Sequence, residues 1–207
     1  VYNTEDYRRA SFKISKYVPR GTFEKLKVFV ELVLQWNKKI NLISRKSEEF
    51  IWSHHVLDSL CALPHLIQSN SILLDVGTGA GFPGLVLSIA TGQQTILAER
   101  SQKKCAFLKE AQQVTGANVI IENKPIEKVA GYRPSVILSR GFGSVHSFLQ
   151  SISHLIRQDL QVITWKGDRG EVEVEEARVK PWHFDAAFKR SPDMRGMLAL
   201  LSNFTKA

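Results

Sequence analysis

Residues 72–84 read Ile-Leu-Leu-Asp-Val-Gly-Thr-Gly-Ala-Gly-Phe-Pro-Gly, and this stretch decides the fold. An apolar run ends in an acid, Asp75. Glycines follow at 77, 79, 81 and 84, and a helical pattern then begins. A buried strand that runs into a Gly-rich turn and a helix N-terminus is the usual cradle of a nucleotide-like ligand. Glycines permit positive φ and let a ligand come close to the backbone.

Two ligands compete for such a turn. Gly79-x-Gly81-x-x-Gly84 formally fits the dinucleotide fingerprint, which wraps a pyrophosphate. Its phosphates would then lie near the Asp75 carboxylate, and an acid suits a cationic ligand better. S-adenosylmethionine has no phosphate and carries an ammonium and a sulfonium. On that reading Asp75 attracts or orients the amino-acid end, directly or through water. Gly77, Thr78, Gly79, Gly81 and Phe82 belong to the cofactor-binding turn. A glycine turn without a ligand is the third possibility. Glu99 closes the next apolar run, 94–98, where doubly wound sheets place the acid that takes ribose hydroxyls. Either cofactor is served by it, and an acid there also favours the dipole of the following helix.

Outward from this turn the chain divides in two. Residues 1–65 read as a helical extension and 66–207 as the ligand-binding domain, packed as one unit. Phe23, Leu26, Val30, Val33 and Leu34 have the period of an amphipathic helix that continues to about residue 39. A shorter helix is expected over 4–18, broken near Pro19. A third opens at Ser47-Glu48-Glu49 and carries His54, His55, Asp58 and Leu60, with Pro64 near its end. Strands are expected at 71–76, 94–98, 118–122, 135–139 and 160–165. Helices are expected near 83–91, 101–115, 144–156 and 170–178, with Pro83 in a first helical turn, where its missing N–H costs little. Such alternation argues for a mostly parallel sheet with helices on both faces. Residues 182–188 and 197–203 read as a terminal antiparallel pair joined by a polar loop, 189–195.

Composition narrows the class. The 207 residues are 43% hydrophobic and carry a formal charge of +8. The excess is spread evenly: 11 Lys or Arg less 7 acids gives +4 over residues 1–60, and 17 less 13 gives +4 over the rest. A folded basic face that meets a polyanion such as nucleic acid fits this better than a basic tail. No run reaches the roughly 18 apolar residues of a membrane span. The first residues lack the apolar core of a signal peptide. Cys61 and Cys105 make no metal or disulfide framework and fit buried thiols in a reducing cytoplasm. A cytoplasmic protein, monomeric by default, with no metal site is expected.

Five segments in this order carry a resemblance: Trp36-Asn37-Lys38-Lys39-Ile40-Asn41-Leu42, His55-Val56-Leu57-Asp58-Ser59, the turn from Asp75 through Gly-Phe-Pro-Gly, Ser139-Arg140-Gly141-Phe142, and Lys166-Gly167. They resemble the bacterial glucose-inhibited division protein B family, the guanine-N7 methyltransferases of small-subunit (16S) ribosomal RNA. The resemblance covers nearly the whole chain from about residue 22. It implies a Rossmann-like class I S-adenosylmethionine-dependent methyltransferase fold with a mostly parallel seven-stranded α/β sheet and an antiparallel terminal strand. It implies methylation of guanine-527 in the 530 loop of 16S RNA, on the small ribosomal subunit. The family pattern has Ala where Gly141 stands, commonly Arg in the segment Asn123-Lys124-Pro125, and a small residue where Arg100 follows Glu99.

Guanine N7 has an in-plane lone pair and no proton to lose, so alignment rather than acid–base chemistry carries the rate. The useful groups hold the guanine edge, whose O6 suits Arg or Lys. Arg140 and Lys166, at strand ends, are the catalytic candidates, with Arg140 also beside the cofactor. They could instead hold neighbouring phosphates. The resemblance adds Ile126 and Glu127, whose backbone would read the adenine, and brings in Arg195 with His55 and Asp58 on the RNA side. His55 and Asp58, three apart, share a helical face; a polar pair that pins helices to the sheet is the plainer alternative. Phe142 or Phe82 could stack on a base, though core packing is the simpler use of either. Lys13, Lys16, Arg20, Lys25 and Lys27 could line the RNA approach. An NAD-dependent oxidoreductase and a non-catalytic RNA-binding protein that keeps the cofactor fold are the competing functions.

Overall fold

The computed structural model describes residues 2–66, 71–178 and 181–206. Seven strands form one sheet in the order β3-β2-β1-β4-β5-β7-β6. They are β1 (Leu73–Val76), β2 (Thr95–Ala98), β3 (Val119–Glu122), β4 (Val136–Arg140), β5 (Gln161–Lys166), β6 (Trp182–Lys189) and β7 (Met197–Lys206). The first five pair in parallel. β7 inserts antiparallel between β5 and β6. The chain reverses its direction of winding between β1 and β4, so a crevice opens there at the strand C-termini.

Helices cover both faces. On one face lie α1 (Thr4–Ile14), α2 (Arg20–Asn37), α5 (Gly84–Thr91) and α6 (Gln102–Thr115), which share one apolar cluster. On the other lie α7 (Val145–Ser151) and α8 (Gly170–Glu176). α2 seats Phe29 against Phe82 and Phe107, with ring centroids 5.2 and 6.3 Å apart, and Trp36 donates from Nε1 to Glu110 at 3.0 Å. Residues 1–65 therefore have no separate core. The limit drawn at 65/66 adjoins residues 67–70, which lie outside the described residues.

The expected elements recur with bounds moved by a few residues, β7 running three residues beyond its expected end, and the third helix differs in kind. Only a turn, α3 (Arg45–Glu48), forms first; a π-helical segment, Trp52–Leu57, follows and passes into α4 (Asp58–Leu60). The Asp6 carboxylate of α1 accepts from the Trp52 and Ser53 N–H groups at 3.2 and 3.3 Å and so caps the segment's start. The helix expected over 144–156 is split into α7 and a 3-10 turn, Ser153–Leu155. Pro83 stands one residue before α5, at its cap, rather than inside its first turn. Asn37 explains the Trp-Asn motif: its side-chain oxygen accepts from Leu42 and Ile43 N–H at 2.7 and 3.0 Å and closes the loop after α2.

Trp52 is fully buried between Tyr7, Phe23 and Tyr2. Trp52→Ala should cost about 3–5 kcal/mol. Because the extension and the sheet share a cluster, denaturant unfolding should keep a single transition with a lower midpoint. Two separated transitions would contradict the shared core.

Candidate functional site

The chain places its site residues through the strand ends. A cavity of about 490 Å³ opens beyond β1, β2 and β4, lined by Val76, Gly77, Ala98, Glu99, Ile126 and Arg140 among others. Gly77 takes φ +68° on its wall, and a Cβ there would sit 3.8 Å from the Phe142 ring, which lines the cavity with it. Gly141 takes φ +76°, a left-handed conformation that glycine adopts without strain. Asn123 donates to the Glu99 and Arg100 carbonyls at 3.0 and 3.1 Å and ties the ends of β2 and β3 together.

Asp75 does not line this cavity. Its carboxylate is buried behind the turn, where Oδ2 accepts from the Thr78 hydroxyl at 2.6 Å and the Gly84 N–H at 2.8 Å. Gly84 leaves room for it, since a Cβ at that position would meet Asp75 Oδ2 at 2.7 Å. Asp75 thus clamps the turn onto the start of α5 through Oδ2, while Oδ1 has no partner among the described residues. Thr78 is its partner, 3% exposed, and Gly81 packs on Leu85 and Leu108. Phe82 turns away from the cavity into the extension, with its ring 5.2 Å from Phe29 and 4.9 Å from His55. Neither a cofactor contact nor base stacking is left to it.

The turn also discriminates between the two ligands. The Gly79 N–H donates to Glu99 Oε2 at 3.1 Å, the Gly81 N–H to the Thr78 carbonyl at 2.9 Å and the Gly84 N–H to Asp75. The three glycine N–H groups are thus engaged within the turn, two of them on carboxylates. Glu99 accepts from Gly79 and from the Ser101 N–H at 2.8 Å. A carboxylate has about four lone-pair sites, so two remain for ribose hydroxyls on the cavity side. The residues therefore fit an adenosyl group without phosphates. Ile126 is buried and Glu127 exposed at the rim; Arg100 and Lys124, noted only as departures from the family pattern, complete it with Lys104, which sequence reasoning did not single out.

A second cleft of about 330 Å³ lies beside the first and shares Arg140 with it. His54, His55, Asp58, Trp165, Lys166 and Arg195 line it. Arg140 is held from the extension: Nη1 donates to Asp58 Oδ2 and the His54 carbonyl, each at 3.3 Å, and Nη2 lies 2.8 Å from His55 Nδ1. Its guanidinium also stands 5.4 Å over the Phe82 ring. Burial, followed by the Arg140 charge, lowers the His55 ring to about 3. Burial raises the Asp58 carboxyl despite Arg140 beside it. Lys166 is not the free cation its sequence position suggests. It donates to the Gly143 carbonyl at 2.7 Å and to Glu173 at 2.8 Å and braces the loop after β4. Arg195 forms no ion pair among the described residues and faces the cleft. Trp165 was missed by sequence reasoning; its indole donates to the Asp58 carbonyl at 3.0 Å and fixes α4 to β5. Among the described residues no cluster suits a metal. Of the α1–α2 cations, Lys13 is tied to Asp193 and Lys27 to Glu24.

Burial raises the Asp75 carboxyl from 3.8 to about 6, against the pull of Thr78 and Gly84. Below about pH 3 the group is neutral folded or unfolded; above pH 6 folding must bury its charge. Its contribution to stability is therefore present at low pH and lost as pH rises through 6. Relative to Asp75→Asn, the wild type should lose about 2 kcal/mol of unfolding free energy between pH 4 and 8. Urea titrations of both proteins across that range check this, and a constant difference would contradict the burial of the charge.

The model of the family described as rRNA small subunit methyltransferase G matches residues 22–192. A protein of Gluconobacter oxydans named ribosomal RNA small subunit methyltransferase G is 35% identical over 91% of this chain and 97% of its own length. One of the same name from Rickettsia felis is 36% identical over the same shares. Solved structures at lower identity share the fold. A mutant of MtNAS in complex with S-adenosylmethionine has a TM-score of 0.62 at 10% identity, over 86% of this chain and 74% of its own. A ribosomal protein L11 methylase from Lactobacillus delbrueckii has 0.53 at 16%, over 72% and 76%. With the matched span covering most of the chain and these relatives near their full length, the chain belongs to the rRNA small subunit methyltransferase G family.

Proposed function

We propose that this chain transfers a methyl group from S-adenosylmethionine to N7 of a guanine in 16S ribosomal RNA of the small subunit, guanine-527 by resemblance. The observation that carries the reading is the sharing of Arg140 between two openings. One fits an adenosyl group and the other is lined by Arg195, which forms no ion pair among the described residues. Names of the relatives support the RNA class.

Bound beyond β1, S-adenosylmethionine would supply a methyl carbon on a cationic sulfur, and N7 would take it without loss of a proton. The chain's own residues need to place and shield rather than to exchange protons. Glu99 would hold the ribose, with Gly77 and the Ile126-Glu127 backbone along the adenosine. Arg140 would donate to guanine O6, the acceptor beside N7. Lys166 would keep the Gly143 loop in place, and Arg195 would meet a phosphate. His55 and Asp58 lie behind Arg140 rather than beside the base. No helix among the described residues is long and apolar enough to cross a membrane. The reading takes it to act as a monomer in the compartment where small subunits assemble.

The test is transfer of labelled methyl to small subunits and to naked 16S RNA from cells that lack this gene, with the product nucleoside identified. Label in 7-methylguanosine at a single site is expected. Label at another base position, or none with cofactor bound, would overturn the reading. Arg195→Ala should weaken RNA binding about threefold to tenfold and lower the slope of log affinity on log salt by about one. Affinity for S-adenosylmethionine should not change. An unchanged salt slope would remove Arg195 from the phosphate path.

A further inference from the structure

The extension reaches the site at one turn of backbone. In the π-helical segment the Asp58 N–H bonds the Ser53 and His55 carbonyls and passes over His54. The His54 carbonyl accepts from Arg140 Nη1 instead. The widened turn thereby offers three acceptors on one side: the His54 carbonyl, His55 Nδ1 and the Asp58 carboxylate. π-turns inside helices occur often at functional sites, and here the turn has a specific product, a socket for one guanidinium.

Arg has five N–H donors and no acceptor. The socket takes both donors of Nη1 and one of Nη2. The Nε–H and the second Nη2–H have no protein acceptor among the described residues. Arg140 borders both openings, so these donors belong to the partition between them. His55 can serve only as a neutral ring, because Nδ1 must accept. The groups that face it agree with this. Arg140 comes from β4 and Arg195 from the loop between β6 and β7; His54 and Asp58 come from its own segment, and the Phe82 ring from the glycine turn. A second proton on the ring would set two cations 2.8 Å apart.

We propose that His55 and Asp58 are positioning residues for methyl transfer: they hold the Arg140 guanidinium across the partition, so that its remaining N–H groups meet the guanine edge. The helical extension is then part of the catalytic apparatus and not a separate RNA-binding arm. This rests on the function proposed above.

Three full-length variants test it: His55→Ala, His55→Asn and Asp58→Asn. The amide oxygen of His55→Asn can stand in for Nδ1, whereas Ala offers no acceptor. His55→Ala should lower kcat on small subunits about 30-fold, as expected for a displaced aligning group, with S-adenosylmethionine affinity within about threefold. His55→Asn should recover to within about fivefold of wild type. Asp58→Asn should fall between the two. Wild type and His55→Asn should share one pH profile between pH 5.5 and 8.5. A readout free of turnover accompanies these: the Arg140 side-chain NMR signals should show hindered guanidinium rotation in wild type and averaging in His55→Ala. Equal loss of kcat and of melting temperature in Ala and Asn variants would reduce His55 to a structural role. An active His55→Ala, or a limb near pH 6.5 that vanishes in His55→Asn, would overturn the proposal. A wild type that methylates no RNA yet shows the hindered guanidinium would sink the proposed function and leave the socket standing. A freely rotating guanidinium in wild type would sink the socket itself.

Discussion

A part-buried guanidinium at the end of β4, its side chain 19% exposed, has to find partners, because a charge drawn out of water without one is costly. The sheet supplies none: β1 ends at Val76 opposite Ser139, Arg140 pairs across the sheet with Trp165 of β5, and its charge partner comes from residue 58. The geometry of the N-terminal helices follows from that need. Asp6 caps the π-helical segment, Trp165 anchors Asp58 to β5, and Phe82 fills the space under the guanidinium. Removing one partner of such a cluster leaves the others buried and unsatisfied, so the arrangement is held as a unit.

The glycine turn obeys a second constraint of the same kind. Its backbone N–H groups would otherwise attract an anion, as helix N-termini do. Asp75 and Glu99 occupy them, and Gly84 has no Cβ because Asp75 fills that place. The Gly79 and Gly84 N–H groups are thereby withheld from an anion, and a carboxylate stands where a phosphate would approach them. The two acids therefore select the ligand class largely by what they deny, and Glu99 keeps lone pairs for the ribose side.

Much of the fold was legible because it is written in local periodicity. Seven strands and their helices follow from apolar runs and Gly or Pro breaks, and the terminal pair shows as two alternating runs after Pro181. The site was legible by position more than by role. Asp75, Glu99, Arg140 and Arg195 all stand at the crevice or just behind it. What could not be read was the direction of side chains whose partners are remote in sequence. Asp75 faces Gly84 nine residues on, Lys166 faces Gly143 twenty-three back, and Arg140 meets a segment more than eighty residues earlier. The π-turn was hidden too, since His54, His55 and Asp58 fit an ordinary helix equally well by spacing. Phe82 sits in a motif otherwise devoted to the turn, and only the packing of α2 shows why it faces the extension.

Two openings meet at one side chain that the extension holds, and that junction is the centre of the mechanism. The most direct measurement is the single-turnover rate of methyl transfer by Arg140→Lys with S-adenosylmethionine and small subunits both saturating. Lys keeps a charge but lacks the planar fork that the socket grips and that two cavities share. A rate at least about 100-fold below wild type, with both ligands still bound, is the expected result. A single-turnover rate equal to wild type would contradict a central role for the Arg140 junction.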